Sequence, residues 1–268
     1  MSGFPIDQPG LADTDTRSVI VLLSGIAGIS TNHLILKRTL LDGLCRLILA
    51  DKWMSIHHAS GDSELASPQP AFLHRGFSEA EFRDITASAA HSTARPLNSC
   101  FRNKRLKTKG QFTVRLEDYE RYDAWLTSPS GTLATAAGTG TFILSISPMD
   151  GAGTSCNISL YRTPGSAPFT DKELRTAHLV FSGVAWLHQR GWTEITDYSD
   201  ATSLPPRLQP LLALLLQGSS RKLISEIIGI KVNTVNSYTK EIYRHFGVHS
   251  QPELMRIHFQ IKAEGPGG

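Results

Sequence analysis

Apolar residues recur at helical spacing in two stretches near the beginning of the chain. This pattern predicts helices over Thr16–Ala27 and Thr31–Ala50, separated by the short break Gly28-Ile29-Ser30. Trp53–His58 follows as a predicted strand, and the composition of residues 60–70 indicates a loop. The first part of the chain is therefore expected to mix helix and strand.

Two capping boxes mark where further helices begin. They are Ser78-x-x-Glu81 and Thr170-x-x-Glu173. In this motif the hydroxyl caps the first turn, and the acidic side chain returns to the backbone of the capping residue. We therefore predict a helix after each box, ending near Ala90 and near Gln189.

Strand patterns occupy the middle of the chain. They cover Phe112–Leu116, Thr141–Ser147 and Ser155–Arg162, and Pro148–Gly153 between the last two is a hairpin signal. The order of helices and strands predicts an α+β domain in which helices flank an antiparallel sheet. For the basic run Phe101–Gly110 we favour a solvated loop, with contact to DNA phosphates or to an anionic ligand as the alternative.

Signals for several short helices follow one another closely at the C-terminal end of the chain. Leu211–Leu216 is apolar on nearly all sides, more than a small helical unit buries alone, and Gly218 stops this helix. Ser219 or Ser220 caps a second short helix, which Gly229 ends. A third helix is predicted from about Asn233 to Phe246, and Ser250-x-x-Glu253 opens a fourth.

Composition divides the chain into segments. Residues 1–12 and 263–268 are predicted to be loose tails, and residues 193–203 form a polar linker without periodicity. The linker separates a domain of residues 13–192 from a domain of residues 204–262. The second domain has eight Lys and Arg residues against three acidic residues, whereas the rest of the chain is slightly acidic. A basic module on a near-neutral body is typical of binding to a polyanion.

The third of these helices has two distinct faces. At 100° per residue, Val235, Thr239, Ile242 and Phe246 form one buried stripe. Amide, hydroxyl and basic side chains lie on the other side, and groups of these types match base edges and phosphates in a major groove. These side chains belong to Asn233, Asn236, Ser237, Lys240 and Arg244.

The C-terminal sequence also resembles a known family. Gly218–Ile230, Thr234-Val235 and Ile242–Ser250 are similar, in register and without gaps, to the LuxR-type (LuxR/FixJ) helix-turn-helix. The resemblance implies a four-helix unit that binds double-stranded DNA as a homodimer, with the last helix, here Leu254 and Ile257, in the dimer contact.

The same resemblance assigns individual positions on the helix-turn-helix. Asn236, Ser237 and Lys240 fall on base-reading positions, and the phosphate-contacting positions fall on Lys222, Thr234 and Tyr238. With Asn233, Arg244 and Lys231 these residues make up the predicted DNA interface. The chain departs from the family at Pro205–Leu208, where Thr-Pro-Arg-Glu is usual, at Lys231, where a small polar cap is usual, and at Asn236, where a base-facing Lys is usual. Pro210 lies just past the first turn of the first helix.

A shorter resemblance concerns the first domain. One segment is similar to the last strand and last helix of GAF-like sensor domains, at Ser159–Arg162, Pro164-Gly165, Pro168–Thr170, Glu173, Leu174 and Leu179. It implies a GAF/PAS-like sensor that modulates DNA binding, with a possible small-molecule ligand between sheet and loops. An acyl-homoserine-lactone receptor, an enzymatic domain and a protein-interaction domain remain alternatives. For the first of these, suitable residue types without that family's spacing are provided by Tyr119, Tyr122, Asp123 and Trp125.

Other chemistry has little support in the sequence. Cys45, Cys100 and Cys156 have neither disulfide nor zinc spacing, which favours a reducing cytoplasm. Scattered histidines lack metal-ligand spacing, and no catalytic or phosphate-loop motif occurs, so we assign no metal, cofactor or enzymatic activity. The apolar segment Ser18–Ile29 is too short to span a bilayer, so no membrane partner is expected.

Overall fold

A computed structural model describes residues 13–27, 29, 33–58, 71–108, 110–149, 155–189, 204–216 and 218–256. It contains a five-stranded sheet in the order β2-β1-β5-β4-β3. The strands are β1 (Lys52–His58), β2 (Ala71–Arg75), β3 (Phe112–Arg115), β4 (Thr141–Pro148) and β5 (Ser155–Arg162). The predicted α+β domain with a flanked antiparallel sheet is confirmed.

Strands β3 and β4 show how alternation builds the two faces of the sheet. They pair antiparallel, with Phe112 opposite Ile146 and Val114 opposite Leu144. Because successive side chains of a strand point to opposite faces, these four apolar residues share one face and are all buried. Phe101 packs against the same cluster.

Helices precede, interrupt and follow the strands. The predicted helices at the start of the chain are confirmed as α1 and α2, and those after the two capping boxes as α3 and α7. The bounds are α1 (Asp13–Ile26), α2 (His33–Ile48), α3 (Glu79–Ala90), α4 (Arg95–Lys107), α5 (Tyr122–Leu126), α6 (Pro129–Ala136), α7 (Asp171–Gly183) and α8 (Ala185–Gln189).

Some elements differ from the sequence predictions. Most of the basic run that we expected to be a loop is helix α4, which begins at Arg95 with Pro96 in its first turn. The predicted helix to Gln189 is interrupted at Val184, where α8 follows α7. Strand β2 and helices α5 and α6 were not predicted. The predicted loop over residues 60–70 and most of the hairpin loop lie outside the described residues.

The chain forms two compact units. The first comprises Met1–Trp53, Phe77–Ser147 and Ser159–His188, and the second comprises Met54–Gly76, Pro148–Ile158 and Gln189–Gly268. No helix of the described ranges is both long enough and apolar enough to cross a membrane. The proposed segment boundaries at residues 12, 192, 203 and 262 stay predictions.

The C-terminal helices belong to the second unit. They are α9 (Gln209–Leu216), α10 (Arg221–Ile228), α11 (Val232–Phe246) and α12 (residues 251–256), and a 3-10 turn (Pro206–Leu208) precedes them. Residues 209–215 of α9 are all buried. Within this unit α9 packs against α10, α11 and strand β2, which accounts for the apolar surface on all of its sides.

Candidate nucleic-acid interface

Helices α10 and α11 form a helix-turn-helix whose turn is defined by local bonds. Ser220 caps α10, and its Oγ accepts a hydrogen bond from the backbone N–H of Leu223 at 3.3 Å. Gly229 ends the helix with φ of +79°, a left-handed conformation that favours glycine. The Ser225 hydroxyl donates to the carbonyl of Ile230 at 2.6 Å across the turn. Ser220 and Gly229 therefore have the predicted roles.

One face of α11 is buried in the domain. Val235, Thr239 and Ile242 are completely buried, whereas Phe246 is half-buried. The Thr239 hydroxyl donates to the carbonyl of Val235 at 2.7 Å, so the hydroxyl is satisfied inside the core. The predicted stripe is correct for its first three members, and this fixes which face of α11 remains outside.

The outer face of α11 carries the predicted DNA-contacting residues. Lys231, Asn233, Ser237, Lys240 and Arg244 are exposed along this face. Lys222 is exposed on α10, whereas Thr234, Asn236 and Tyr238 are half-buried. The Ser237 hydroxyl donates to the carbonyl of Asn233 at 3.2 Å, which leaves its oxygen as an acceptor. Lys231 is the N-cap of α11 without a side-chain capping bond.

Arg221, which we did not predict to take part in this interface, forms a hydrogen bond with Asn236. Arg221 Nη1 of α10 donates to Asn236 Oδ1 of α11 at 3.1 Å. Burial raises the pKa of Tyr243, and Arg221 beside it acts in the opposite direction. Arg221 thus lies between two side chains of α11 and orients the Asn236 amide.

A second arginine modifies the charge of the same helix. Arg207 of the 3-10 turn forms an ion pair with Glu241 at 3.1 Å. Its guanidinium also lies over the ring of Tyr238, 5.7 Å from the ring centroid. Glu241 is the acidic residue of α11, so this pair offsets the negative charge beside the basic face.

The fourth helix differs in part from its predicted role. The backbone N–H of Glu253 donates to Ser250 Oγ at 3.4 Å, but the Glu253 side chain accepts from the N–H of His249 instead of Ser250. Leu254 is 2% exposed and packs inside its own chain. Its part in a dimer contact stays a prediction, and Ile257 lies outside the described residues.

The first unit holds an aromatic cluster on one face of its sheet. The ring of Tyr161 lies 5.5 Å from that of Phe77 and 5.6 Å from that of Phe142, centroid to centroid. Burial raises the pKa of Tyr161 to about 12, and a hydrogen bond with Ser159 opposes this shift. We call Phe77, Phe142, Tyr161 and Ser159 the Tyr161 cluster. It combines three aromatic rings with two buried hydroxyl groups.

The alternative ligand residues have structural partners. The indole N–H of Trp125 donates to Ser130 Oγ at 3.1 Å, and Trp125 is buried. Burial raises the pKa of Tyr122, with a contribution from the charge of Glu117. Within the described ranges, no group of three or more His, Cys, Asp or Glu side chains could hold a metal ion.

The geometry of the second unit defines a class of protein. A capped helix-turn-helix that exposes amide, hydroxyl and basic side chains on its second helix is a DNA-binding module. Residues 202–258 match the family described as bacterial regulatory proteins, luxR family. The chain therefore carries a LuxR-family DNA-binding domain at its C-terminal end, and it is a DNA-binding regulator of transcription.

Several solved structures are similar to the chain. SdiA in complex with octanoyl-rac-glycerol is 13% identical with a TM-score of 0.42, and the match covers 92% of this chain and 95% of that chain. The LBD domain of VqsR from Pseudomonas aeruginosa is 17% identical with a TM-score of 0.43, over 66% and 95%. CepR2, an N-acylhomoserine lactone dependent LuxR-family factor from Burkholderia cenocepacia, is 13% identical with a TM-score of 0.45, over 66% and 96%. A comparison with curated proteins finds no match.

Proposed function

We propose that the chain regulates transcription in the cytoplasm by binding a two-half-site DNA operator as a homodimer, with α11 in the major groove. The exposed face of α11 is the observation that carries this proposal. Asn236, Ser237 and Lys240 read base edges, while Lys222, Thr234 and Tyr238 contact phosphates. Lys231, Asn233 and Arg244 extend the same interface. No catalytic step is assigned to the chain.

The electrostatics of α11 support this assignment. Lys240 and Arg244 are both exposed, and Arg207 pairs with the neighbouring Glu241. Lys240 and Arg244 therefore face solvent, and the carboxylate of their own helix, Glu241, is paired with Arg207. Phosphate contacts of this kind supply salt-dependent affinity, whereas amide and hydroxyl groups supply sequence choice.

A pair of charge-matched variants tests the DNA interface. The operator is first selected from a random duplex pool with the full-length chain. Lys240→Gln removes a positive charge from the proposed interface, and Arg83→Gln removes one from an exposed position on α3. We expect Lys240→Gln to weaken binding and to reduce the slope of log affinity against log salt by about 0.9 per contact, with little change for Arg83→Gln. Equal effects of both variants would contradict the placement of α11 in the groove.

The dimer is tested by counting protomers. Sedimentation of the full-length chain with a two-half-site duplex is expected to show two protomers per duplex, because two-fold operators require two recognition helices. A single bound protomer at saturation, together with a free monomer, would refute this part of the proposal.

We further propose that the Tyr161 cluster responds to an amphipathic small molecule that modulates DNA binding. Three aromatic rings in contact and a buried pair of hydroxyl groups offer an apolar surface with a polar end, which is the usual composition of a ligand site. Occupancy would shift the population of DNA-binding conformations by its differential affinity for them.

Native mass spectrometry of the purified full-length chain tests the ligand. A co-purifying small molecule that is lost in Tyr161→Phe, which removes only the hydroxyl, would support the Tyr161 cluster. N-acylhomoserine lactones are added separately as probes, with the melting temperature and DNA affinity as readouts. Absence of any bound molecule and of any response to the probes would favour a protein-interaction domain instead.

A further inference from the structure

Arg207 contacts two residues of α11 from outside that helix. Its Nη2 donates to both carboxylate oxygens of Glu241, at 3.1 Å and 3.4 Å. Its guanidinium also lies over the ring of Tyr238, 5.7 Å from the ring centroid. The two residues are three positions apart and are therefore neighbours on the helix surface. Together they fix the position of the guanidinium beside α11.

This side of α11 borders the face that we propose reads the bases. At 100° per residue, Thr234, Tyr238 and Glu241 lie within about 60° of one another around the helix. Glu241 is only about 40° from Ser237, whose exposed side chain is assigned to base reading. We call Thr234, Tyr238 and Glu241 the Tyr238 flank. Two of its three members are already assigned to phosphate contacts.

A recognition helix in the major groove has a phosphate backbone along each of its two flanks. The groove is about 12 Å wide, and a helix with its side chains is about 10–12 Å across. Arg221 and its neighbour Lys222 belong to α10, and Arg221 reaches α11 at Asn236, on the flank opposite the Tyr238 flank. Arg207 therefore lies on the side of α11 that would face the other backbone.

The Tyr238 flank would repel that backbone without Arg207. The side chain of Glu241 is 36% exposed, and a carboxylate beside a phosphate is unfavourable because the two negative charges repel each other. The ion pair with Arg207 neutralises this carboxylate on the protein. The flank can then approach a phosphate, and the cation that makes this possible lies at the point of approach.

The guanidinium of Arg207 keeps donors for a second partner. An arginine has five N–H donors, and both bonds to Glu241 come from Nη2. Among the residues that the structure describes, no other group accepts a hydrogen bond from Nε or Nη1 of Arg207. The side chain is 48% exposed, so these donors are accessible from solvent. Phosphate oxygens accept hydrogen bonds from donors of this kind.

We propose that Arg207 is a further phosphate-contacting residue, which binds the DNA backbone along the Tyr238 flank through the guanidinium donors that Glu241 leaves unused. This inference rests on the proposed function, because it requires α11 to lie in the major groove. It adds a contact from outside the helix-turn-helix, in the 3-10 turn that precedes α9. It also gives Glu241 a role, since this carboxylate holds the guanidinium on the flank.

Salt titrations of full-length variants test for a direct contact. Glu241→Gln is the reference chain, because Arg207 cannot act there by neutralising a carboxylate. Adding Arg207→Gln should reduce the slope of log affinity against log salt on the selected operator by about 0.9, which is roughly a 3- to 4-fold smaller loss of affinity between about 50 mM and about 200 mM salt. Adding Arg83→Gln instead removes the same charge from an exposed position on α3 and should leave the slope unchanged. Adding Arg207→Lys keeps the charge and should also retain the slope.

A chemical change in the DNA locates the contact. Each phosphate of the selected operator is replaced in turn by a neutral methylphosphonate. We expect one position in each half-site where the replacement weakens binding of the native chain several-fold but does not weaken Arg207→Gln further, because the two changes remove the same contact. Lys222→Gln should lose its sensitivity at a different position, since Lys222 belongs to α10 and not to the Tyr238 flank.

The outcomes separate this inference from the proposed function. If Arg207→Gln leaves the slope of the reference chain unchanged and stays sensitive to every methylphosphonate, Arg207 only neutralises Glu241, and the inference is overturned while the proposed function stands. An equal reduction with Arg83→Gln would also overturn it, since the effect would then come from net charge. Failure of Arg207→Lys to retain the slope would assign Arg207 a structural role instead. If the native chain binds no DNA at low salt, both the proposed function and this inference fail.

Discussion

The contact between Arg221 and Asn236 predicts which group of the Asn236 amide is available to a DNA base. Arg221 occupies Asn236 Oδ1 at 3.1 Å, so the amide presents Nδ2 as its free donor. A donor of this kind matches the acceptors on the major-groove edges of guanine, adenine and thymine. We therefore expect Arg221 to act on specificity through Asn236, although it does not contact a base itself.

Removing the Arg221 guanidinium should free the Asn236 amide to rotate, while α11 should still bind in the major groove. Arg221→Met keeps most of the side-chain length and abolishes the hydrogen bond, whose net value is about 1–2 kcal/mol. Asn236→Ala removes the proposed base contact, at an expected cost of about 1–3 kcal/mol on the preferred operator. Because both changes act on one contact, their combined cost should be smaller than the sum of the single costs.

The assay compares affinities for the selected operator and for duplexes that carry one changed base pair. Asn236→Ala and Arg221→Met should lose discrimination at the same base pair. Lys222→Met is the matched control, since it removes an adjacent exposed charge and should weaken all duplexes alike. If Arg221→Met weakens all duplexes as uniformly as Lys222→Met does, Arg221 is a phosphate contact and the positioning role is refuted.

Two stability predictions concern the first unit. Gly138 has φ of +69°, and a Cβ there would lie 2.6 Å from Lys52 Nζ and 2.8 Å from Glu81 Oε1. Gly138→Ala should therefore lower the free energy of unfolding, measured in urea, by about 2–4 kcal/mol. The control is Gly165→Ala, where φ is +85° and a Cβ would meet no atom within 4 Å. This control should lower the free energy of unfolding only by the backbone strain, about 1–2 kcal/mol. His188 is fully buried, and burial, with a smaller contribution from a nearby lysine, lowers its pKa to about 3. As the pH falls, the unfolded chain protonates His188 before the folded chain does, so this residue's contribution to stability is complete above about pH 6.5 and is lost as the pH falls toward 3. Between about pH 7 and pH 5, the free energy of unfolding should therefore fall by about 2 kcal/mol less in His188→Gln than in the native chain. Identical pH profiles of the two chains would contradict this prediction.

Helix starts could be predicted because their bonds are local. Ser78 Oγ accepts from the N–H of Glu81, and Glu81 Oε2 accepts from the N–H of Ser78 at 2.8 Å, as the spacing predicts. The same reciprocal pair joins Thr170 and Glu173. Bonds three residues apart depend little on the rest of the fold, so the sequence pattern alone is sufficient.

Elements without a wide apolar face escaped prediction. Only Leu97 and Phe101 direct α4 inward, so its pattern resembled a charged loop. Helix α6 is built from small residues and packs by close backbone approach: a Cβ on Gly131 would lie 2.3 Å from the carbonyl oxygen of Trp125. Hydrophobic periodicity measures side-chain burial, and neither contact depends on a large apolar stripe.

The interface itself shows the same division between local and long-range information. The exposed face of α11 follows from its helical period, but Arg221 and Arg207 reach this helix from elements 15 and 34 residues away. Periodicity within one helix carries no signal for such contacts. The sequence therefore predicts which side of α11 faces solvent, while the orientation of Asn236 requires the packed unit.

The start of the helix-turn-helix domain shows how a departure from the family pattern is accommodated. Pro210 lies in the first turn of α9, where a helix N–H has no intrahelical partner, so its missing donor costs nothing there. Gln209 Nε2 donates to the carbonyl of Leu204 at 3.3 Å and closes the turn before it. Arg207, in the middle of the departing segment, pairs with Glu241 of α11. The altered segment thus still places a cation beside Glu241 of α11, the helix that we propose reads the DNA.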